Sequence, residues 1–343
     1  MKDRQVISAD SSEDDRKFEA ALRPKLLADF TGQPKLKENL AIAIEAARQR
    51  GDALDHVLLY GPPGLGKTTL AGIIAQELGV AFDTTSGPVL QKKLDLTGVL
   101  TNIQEKQVFF IDEIHRLLPD VEEILYSALE DFRVDILVGT GPGARTHSLP
   151  VNRFTAIGAT TRQGLVSAPL RGRFGLVLRL NHYDLADLAK IVERSAKLLG
   201  VTIDDGGAEE IGRRARGTPR IANRLLRRVR DFAQVRADGK VNRDIAIDAL
   251  ELLEVDRYGL DEIDIKLMMT ILEKYSGGPV GINTIAASID EEAATIEEVY
   301  EPYLIQLGFI DRTPRGRVGT KRAFEYFGVR PPRADSDSQS FLF

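Results

Sequence analysis

The segment Gly61-Pro62-Pro63-Gly64-Leu65-Gly66-Lys67-Thr68 matches the pattern G-x-x-x-x-G-K-[ST] at every fixed position. It follows the apolar run Val57-Leu58-Leu59-Tyr60, which is typical of a buried strand, and it precedes a helical stretch. In this order of strand, loop and helix, backbone N–H groups converge on one concavity, and the helix adds its positive N-terminal end. The segment is therefore predicted to bind nucleotide phosphates, with Lys67 on the β- and γ-phosphates and the Thr68 hydroxyl on Mg²⁺.

The composition of the 343-residue chain restricts its class further. Its length suggests two or three domains, and its 43% hydrophobic content is enough for packed cores. No apolar run reaches the length of a membrane span, and the absence of a signal segment and of cysteine indicates a cytoplasmic protein. The net charge of −5 gives no general attraction to nucleic acid, so a DNA contact would need a local basic patch.

The order of apolar runs predicts the fold class. After the first strand, helical stretches separate three further runs, at Val108–Ile111, Phe154–Ile157 and Leu176–Leu178. This alternation is typical of an α/β fold with a parallel sheet. We predict a flexible acidic tail at 1–20, a P-loop ATPase domain at 21–182, a small helical lid at 183–255 and a winged-helix domain at 256–343.

Asp112 and Glu113 come directly after the run Val108–Ile111, at the end of a strand where α/β sheets bind ligands. An acidic pair in this place is often only a helix cap, but a phosphate loop about 45 residues upstream favours a catalytic pair. Asp112 is predicted to hold Mg²⁺, and Glu113 to orient the water that attacks the γ-phosphate. A glutamate here favours hydrolysis over transfer to a hydroxyl. We interpret His115 as a surface residue of the next helical turn.

Two weaker signals extend the predicted site. The segment Gly158-Ala159-Thr160-Thr161 ends a buried run, and one of its threonines, which we take to be Thr160, is predicted to lie between the carboxylates and the γ-phosphate. Arg171 and Arg173 precede the strand at Leu176, at the edge of the domain, where an arginine can stabilise the transition state of a neighbouring subunit. Both interpretations depend on the phosphate loop, because strand-ending threonines and surface arginines are common.

The segment Gly217-Thr218-Pro219-Arg220 predicts a turn that leads into a long helix, with proline at the first helical position. Arg220 is predicted to reach the phosphates from the lid. Between Arg213 and Arg230 the chain has eight arginines and no acidic residue, and the apolar residues of the helix occupy the other face. These arginines form either a solvated, ion-paired face or a DNA contact, and the sequence leaves both possibilities open.

The last part of the chain predicts a winged helix. Three helical patterns within 263–307 precede two short strand-like pieces around the turn Pro314-Arg315-Gly316. From Gly308 to Arg322 there are five basic residues and one acidic residue, and basic hairpins bind phosphates without sequence specificity. We predict DNA contacts by Arg312, Arg315 and Arg317. The alternative is a protein-binding wing with solvated arginines.

Together these segments resemble the RuvB family of AAA+ ATPases, the motor subunits of the bacterial Holliday junction branch migration complex. The resemblance covers about residues 20–330, and besides the phosphate loop it rests on Phe110–Leu117, Gly217–Arg230, Glu301–Gln306 and Arg312–Arg317. It implies ATP and Mg²⁺ as cofactors and a hexameric ring on duplex DNA at Holliday junctions, in recombination and repair. It also implies RuvA and the resolvase RuvC as partners.

The resemblance further implies roles for single residues and for one hairpin. On the adenine and ribose side of the site would be Leu22, Arg23 and Tyr183, and on the phosphate side Gly64, Lys67, Thr68 and Thr69. Bordering the nucleotide would be Glu130, Asp131 and Phe132. Arg173 would be the arginine finger that acts in trans, and Arg220 the lid sensor. A hairpin within 133–150, with its turn at Gly139–Gly143, would dock RuvA; the pattern of the sequence independently predicts this hairpin.

One other functional class shares the same site motifs. In a clamp-loader-like or initiator-like switch, ATP binding drives assembly and hydrolysis only resets the protein. The basic wing and the RuvB-like segments favour a motor. A monomeric strand-separating helicase is disfavoured because two ATPase-type domains are expected in that class and this sequence shows one. A GTPase is disfavoured because the chain has no Asn-Lys-x-Asp segment.

Overall fold

The computed structural model describes residues 18–138 and 145–331. Most of the tail predicted at 1–20 and the hairpin turn predicted at Gly139–Gly143 lie outside the described residues. The described chain divides into two compact units. The first contains residues 18–198 and 217–220, and the second contains residues 199–216 and 221–331.

The first unit contains seven strands in its described residues: β1 (Val57–Tyr60), β2 (Phe82–Ser86), β3 (Val108–Asp112), β4 (Arg133–Val138), β5 (Arg145–Pro150), β6 (Thr155–Thr160) and β7 (Leu176–Arg179). Five of them form a parallel sheet at the centre of this unit, in the order β2-β3-β6-β1-β7. Parallel strands with both faces covered appear in a sequence as continuous apolar runs, and β1, β3, β6 and β7 coincide with the predicted runs. The predicted α/β class with a parallel sheet is confirmed.

Helices and a hairpin surround this sheet. The helices are α1 (Pro34–Arg50), α2 (Lys67–Leu78), α3 (Lys93–Leu100), α4 (Pro119–Glu130), α5 (Ala168–Arg171) and α6 (Leu185–Leu198). One face of the sheet packs Leu58, Phe109 and Ile111 into a core with residues of α3 and α4. The strands β4 and β5 pair antiparallel, from Arg133 opposite Pro150 to Val138 opposite Arg145, as the hairpin prediction requires.

The second unit contains the helical lid and the winged helix. Its lid elements are β8 (Thr202–Ile203), α7 (Asp205–Arg214), α8 (Pro219–Arg236), β9 (Lys240–Val241) and α9 (Arg243–Leu252), and the first two residues of α8 belong to the first unit. Its winged-helix elements are α10 (Glu262–Met269), α11 (Ile282–Ile289), α12 (Ala293–Thr295), α13 (Glu301–Gln306), β10 (Ile310–Thr313), β11 (Gly316–Gly319) and α14 (Lys321–Phe327). This order confirms the predicted winged helix and adds α14. Within the described ranges, no helix is long and apolar enough to cross a bilayer.

A buried ion cluster joins the lid to the winged helix inside the second unit. Arg216 is only 4% exposed, and its Nε donates a hydrogen bond of 2.7 Å to the carbonyl oxygen of Gly259. Its Nη2 contacts the carboxylate of Asp264, which is fully buried, and its guanidinium lies 5.4 Å from the ring centroid of Tyr303. Arg214 is similarly buried and pairs with Glu210 at 3.1 Å. These two members of the arginine-rich segment are therefore interior structural residues.

Candidate nucleotide site

The phosphate loop between β1 and α2 depends on its glycines. Gly61, Gly64 and Gly66 have φ angles of 144°, 76° and 102°, which side chains other than glycine rarely adopt. A Cβ on Gly61 would lie 2.4 Å from the Leu180 carbonyl oxygen, and a Cβ on Gly64 would lie 2.7 Å from Cγ2 of Thr218. Both the backbone conformation and the available space therefore require glycine, and the loop leads into the N-terminus of α2 as predicted.

Lys67, the first residue of α2, is buried within this loop. It is 7% exposed, and its Nζ donates hydrogen bonds of 2.8 and 2.9 Å to the carbonyl oxygens of Gly61 and Pro62. Burial lowers the pKa of Lys67 to about 8, although the carboxylates of Glu113 and Asp112 act in the opposite direction. A desolvated ammonium group beside backbone N–H donors is a strong partner for phosphate oxygens.

The acidic pair lies close to this lysine. Asp112 ends β3, and its Oδ1 accepts a hydrogen bond of 3.0 Å from the backbone N–H of Glu113. Glu113 has a φ of 47°, so the chain reverses direction there and enters a short 3-10 turn at Ile114–Arg116. The Thr161 hydroxyl donates a hydrogen bond of 3.3 Å to Oε2 of Glu113. The structure thus brings Lys67, Asp112 and Glu113 to one place.

The oxygens at this place are of the kind that bind Mg²⁺. Asp112 offers a carboxylate at the end of β3, and Thr68 offers a hydroxyl in the first turn of α2. Mg²⁺ usually takes one or two protein oxygens together with phosphates and water, and these two residues suit that pattern. The described part of the chain contains no cluster of three or more histidine and acidic residues that would hold a metal by itself.

His115 differs from its interpretation as a surface residue. Its side chain is 8% exposed, and Nδ1 lies 3.1 Å from Oε2 of Glu113 and 2.9 Å from Oγ1 of Thr160. Thr160 is fully buried, and its Oγ1 accepts a hydrogen bond of 2.9 Å from the backbone N–H of Arg162. Of the two strand-ending threonines, Thr161 rather than the predicted Thr160 makes the direct contact with Glu113.

Of the residues assigned to the adenine and ribose side, Tyr183 contacts the phosphate loop. Tyr183 is 7% exposed, and its hydroxyl donates a hydrogen bond of 3.1 Å to the Leu65 carbonyl oxygen. Leu22 is buried, and its carbonyl oxygen accepts a hydrogen bond of 3.1 Å from Arg194, a residue that sequence reasoning missed. The charges of Arg220 and Asp112 act on Arg23, so this residue lies within the same electrostatic environment.

Arg220, at the start of α8, contacts the phosphate loop directly. Its backbone N–H donates to the Gly64 carbonyl oxygen at 3.4 Å, and its Nε lies 3.1 Å from Oε2 of Glu19. Its positive charge also lowers the pKa of Lys67, after the larger effect of burial. The turn predicted at Gly217–Arg220 therefore presents an arginine to the loop.

Arg173 lies beside another residue that was predicted to border the nucleotide. Its Nη2 donates a hydrogen bond of 2.9 Å to Glu130, and Nη1 donates one of 2.7 Å to the Pro169 carbonyl oxygen. Its guanidinium lies 4.3 Å from the ring centroid of Tyr126. Glu130 and the next residue, Asp131, are exposed, whereas the Phe132 ring packs at 6.2 Å from that of Phe154. Arg173 and Glu130 thus form one polar edge of the first unit.

The wing carries its arginines in two different environments. Arg312 lies 2.7 Å from Oε1 of Glu301, and Arg317 lies 3.0 Å from Oε2 of Glu301 and 2.8 Å from Glu297. Burial acts to raise the pKa of Glu301, but hydrogen bonds from the two arginines outweigh it and hold this pKa below its ordinary value. Arg315, in the turn between β10 and β11, is exposed. Two of the three predicted DNA-binding arginines are therefore ion-paired within the domain.

Family comparisons match three consecutive parts of the chain. Residues 22–180 match the Holliday junction DNA helicase RuvB P-loop domain. Residues 183–256 match the RuvB AAA lid domain, and residues 257–328 match the RuvB C-terminal winged helix domain. These three matches include the phosphate loop, the lid turn and the wing described above.

Individual proteins are similar along nearly the whole chain. The Holliday junction branch migration complex subunit RuvB of Solibacter usitatus is 75% identical over 342 residues, which are 100% of this chain and 99% of that protein. The same subunit of Koribacter versatilis is 65% identical, over 96% of this chain and 91% of its own. A solved structure of the Thermotoga maritima RuvB Holliday junction branch migration motor has a TM-score of 0.83 at 51% identity, over 91% of this chain and 100% of its own.

Proposed function

The chain belongs to the RuvB family of AAA+ ATPases, and we propose that it is the ATP-driven motor subunit of a Holliday junction branch migration complex. One observation carries this proposal: Lys67, Asp112 and Glu113 meet at one phosphate loop. They do so in a chain that also has the lid and the winged helix of that family. The motor would act in the cytoplasm, in recombination and repair.

The residues at the phosphate loop have different roles in ATP hydrolysis. Backbone N–H groups around Gly64 and Thr69, together with the Lys67 ammonium, bind the phosphates. Thr68 and Asp112 would hold Mg²⁺, which when bound neutralises charge that develops on the phosphate oxygens. Glu113 orients the attacking water. We assign the sensing of the γ-phosphate to Thr161 instead of Thr160, because the Thr161 hydroxyl contacts the Glu113 carboxylate.

The remaining site residues act at its margins. Leu22, Arg23 and Tyr183 line the adenine and ribose side, and Arg220 reaches the phosphates from the lid turn. Arg173 acts on the nucleotide of a neighbouring subunit, next to Glu130, Asp131 and Phe132. Arg173 and Glu130 lie side by side, so one surface of a subunit would bring both residues to the nucleotide of its neighbour. This placement supports a site that two subunits share. A ring of six subunits is the assembly that this arrangement serves.

The partners follow from the same proposal. Duplex DNA at a Holliday junction passes the wing, where Arg315 is exposed between the two strands of the hairpin. RuvA docks on the hairpin of β4 and β5, whose second strand has mostly exposed side chains. RuvC would then act on the junction that the assembled motor has moved.

The test of the proposed function is ATP-dependent dissociation of a synthetic four-way junction, with and without RuvA. The control is Glu113→Gln, which should bind ATP but hydrolyse it only at a low residual rate. A motor dissociates the junction only while it hydrolyses ATP, and RuvA stimulates it. Junction binding that requires ATP but never leads to dissociation would instead support the switch-like class.

ATP affinity should fall as the pH rises above 8. Burial lowers the pKa of Lys67 from 10.5 to about 8, so the ligand-free protein loses this charge above pH 8, whereas bound phosphates require it. Each pH unit between 8 and 10 is expected to cost up to about tenfold in affinity, with uptake of a proton on binding, measurable by calorimetry in buffers of different ionisation enthalpy. AMP, which lacks the β- and γ-phosphates, is the control and should show no such slope. A flat profile for ATP would contradict the assignment.

Arg315→Ala should weaken DNA binding and reduce its dependence on salt. One lost phosphate contact lowers the slope of log affinity against log salt by about 1, and thermal stability should be unchanged because the side chain is exposed. The measurement is a titration of duplex DNA at several salt concentrations. An unaltered slope would exclude Arg315 as a phosphate contact.

A second set of wing variants separates the effect of Arg312 and Arg317 on DNA binding from their effect on the stability of the winged helix. The double substitution Arg312→Ala with Arg317→Ala leaves Glu301, whose side chain is 2% exposed, without its two arginine partners. We expect it to destabilise the winged helix by about 3 kcal/mol, and adding Glu301→Gln should restore much of that stability. Only the triple variant then measures what the two arginines contribute to DNA affinity.

A further inference from the structure

His115 makes contacts that the proposed mechanism does not use. Its ring lies between the carboxylate of Glu113 and the hydroxyl of Thr160, with Nδ1 at 3.1 and 2.9 Å from the two oxygens. The 3-10 turn that carries it is fixed by Ile114, which is 1% exposed. Ile114 packs against β6 at Gly158, where a Cβ would lie 2.8 Å from Cδ1 of Ile114. The position of His115 is therefore set by packing.

The chemistry of the two oxygens determines where the proton of the ring lies. A carboxylate oxygen can only accept, so a ring nitrogen 3.1 Å from Oε2 of Glu113 must carry a hydrogen. Thr160 Oγ1, which accepts from the backbone N–H of Arg162, lies 2.9 Å from the same nitrogen and can accept from it once Nδ1 carries the hydrogen. The Nδ1–H group is thus shared between Glu113 and Thr160. His115 in this tautomer is a donor that connects the end of β6 to the carboxylate.

From this geometry we propose that His115 is a positioning residue for Glu113. Together with the Thr161 hydroxyl at 3.3 Å, it holds Oε2 of Glu113 from two sides, so that the other carboxylate oxygen is directed at the attacking water. Thr160 holds the ring in turn, which gives this buried threonine a role although it does not contact the carboxylate. The inference rests on the proposed function, because it assigns the orienting role to Glu113.

The test compares ATP hydrolysis by His115→Phe and His115→Asn in the full-length protein. Phenylalanine keeps a ring of similar size without the donor, and asparagine keeps an N–H donor near the position of Nδ1. We expect His115→Phe to lower kcat about tenfold with little change in KM, a smaller loss than the roughly 10² to 10⁴-fold that removal of a general base causes. His115→Asn should recover much of the rate. The control for introducing phenylalanine is Gln49→Phe, at an exposed position of α1 outside the site.

A double substitution separates positioning from a structural role. If His115 acts through the Glu113 carboxylate, adding His115→Phe to Glu113→Gln should not lower the residual rate further. A further tenfold loss in that background, or equal rates for His115→Phe and the parent, would overturn the inference. Should His115→Phe fail to fold, His115→Leu takes its place in both comparisons. A parent protein without any ATPase activity would instead refute the proposed function, so the two failures are distinguishable.

Discussion

Arg173→Ala is expected to lower the rate of ATP hydrolysis by about 10³-fold or more, while ATP affinity stays close to that of the parent. The expected loss is large because an arginine finger stabilises charge that exists only in the transition state. Within its own subunit, Arg173 is held by Glu130 at 2.9 Å and by the face of Tyr126, at an edge of the first unit. Hydrolysis and binding are measured separately, by phosphate release and by calorimetry.

Mixing experiments decide whether this arginine acts across subunits. A ring that combines Arg173→Ala subunits with Glu113→Gln subunits contains some sites at which an intact Glu113 faces an intact Arg173. Such mixtures should hydrolyse ATP faster than either variant alone, with a maximum at intermediate ratios. The absence of any recovery across all ratios would contradict a shared site. Arg48→Ala, on the exposed face of α1 and only 3.8 Å from Glu45, is a suitable control for loss of a surface arginine.

Lys67→Ala should abolish measurable ATP binding, which means a loss of at least about 100-fold. The substitution removes the ammonium that makes charge-assisted hydrogen bonds to two phosphates, each worth about 1.5 to 3 kcal/mol. It should not unfold the protein, because burial already disfavours the charged form of this lysine and lowers its pKa to about 8. Calorimetry gives the affinity, and thermal melting of the ligand-free variant gives the control. An ATP affinity equal to that of the parent would refute the phosphate site.

Much of the fold could be predicted because its signals are local. The strands β1, β3, β6 and β7 each coincide with an apolar run, and the loop and the acidic pair have fixed spacings next to β1 and β3. The strand β2 was not predicted because its first residues are exposed and polar residues fill its sequence. The helix α14 was likewise missed: it has only seven residues, directly after the wing.

The unpredicted part of the site depends on tertiary packing. His115 approaches Glu113 because the backbone of Glu113 adopts a positive φ and because Ile114 fits against Gly158, and neither condition is a sequence pattern. The charge of the wing could be counted from the sequence, but its neutralisation by Glu301 could not. That glutamate comes from α13, 11 residues before Arg312, and only the packed domain brings the two together.

The buried contact of Arg216 with Gly259 and Asp264 limits how this protein can be truncated or fused to domains of other proteins. A fragment that ended after the lid would expose the Arg216 guanidinium, which is buried in the intact chain. Any affinity of this fragment for polyanions would then result from the truncation. A chimaera with a foreign winged helix would need to supply a carbonyl and a carboxylate at the same two positions. The winged helix of this protein therefore cannot be exchanged freely, and a replacement domain must be able to neutralise Arg216.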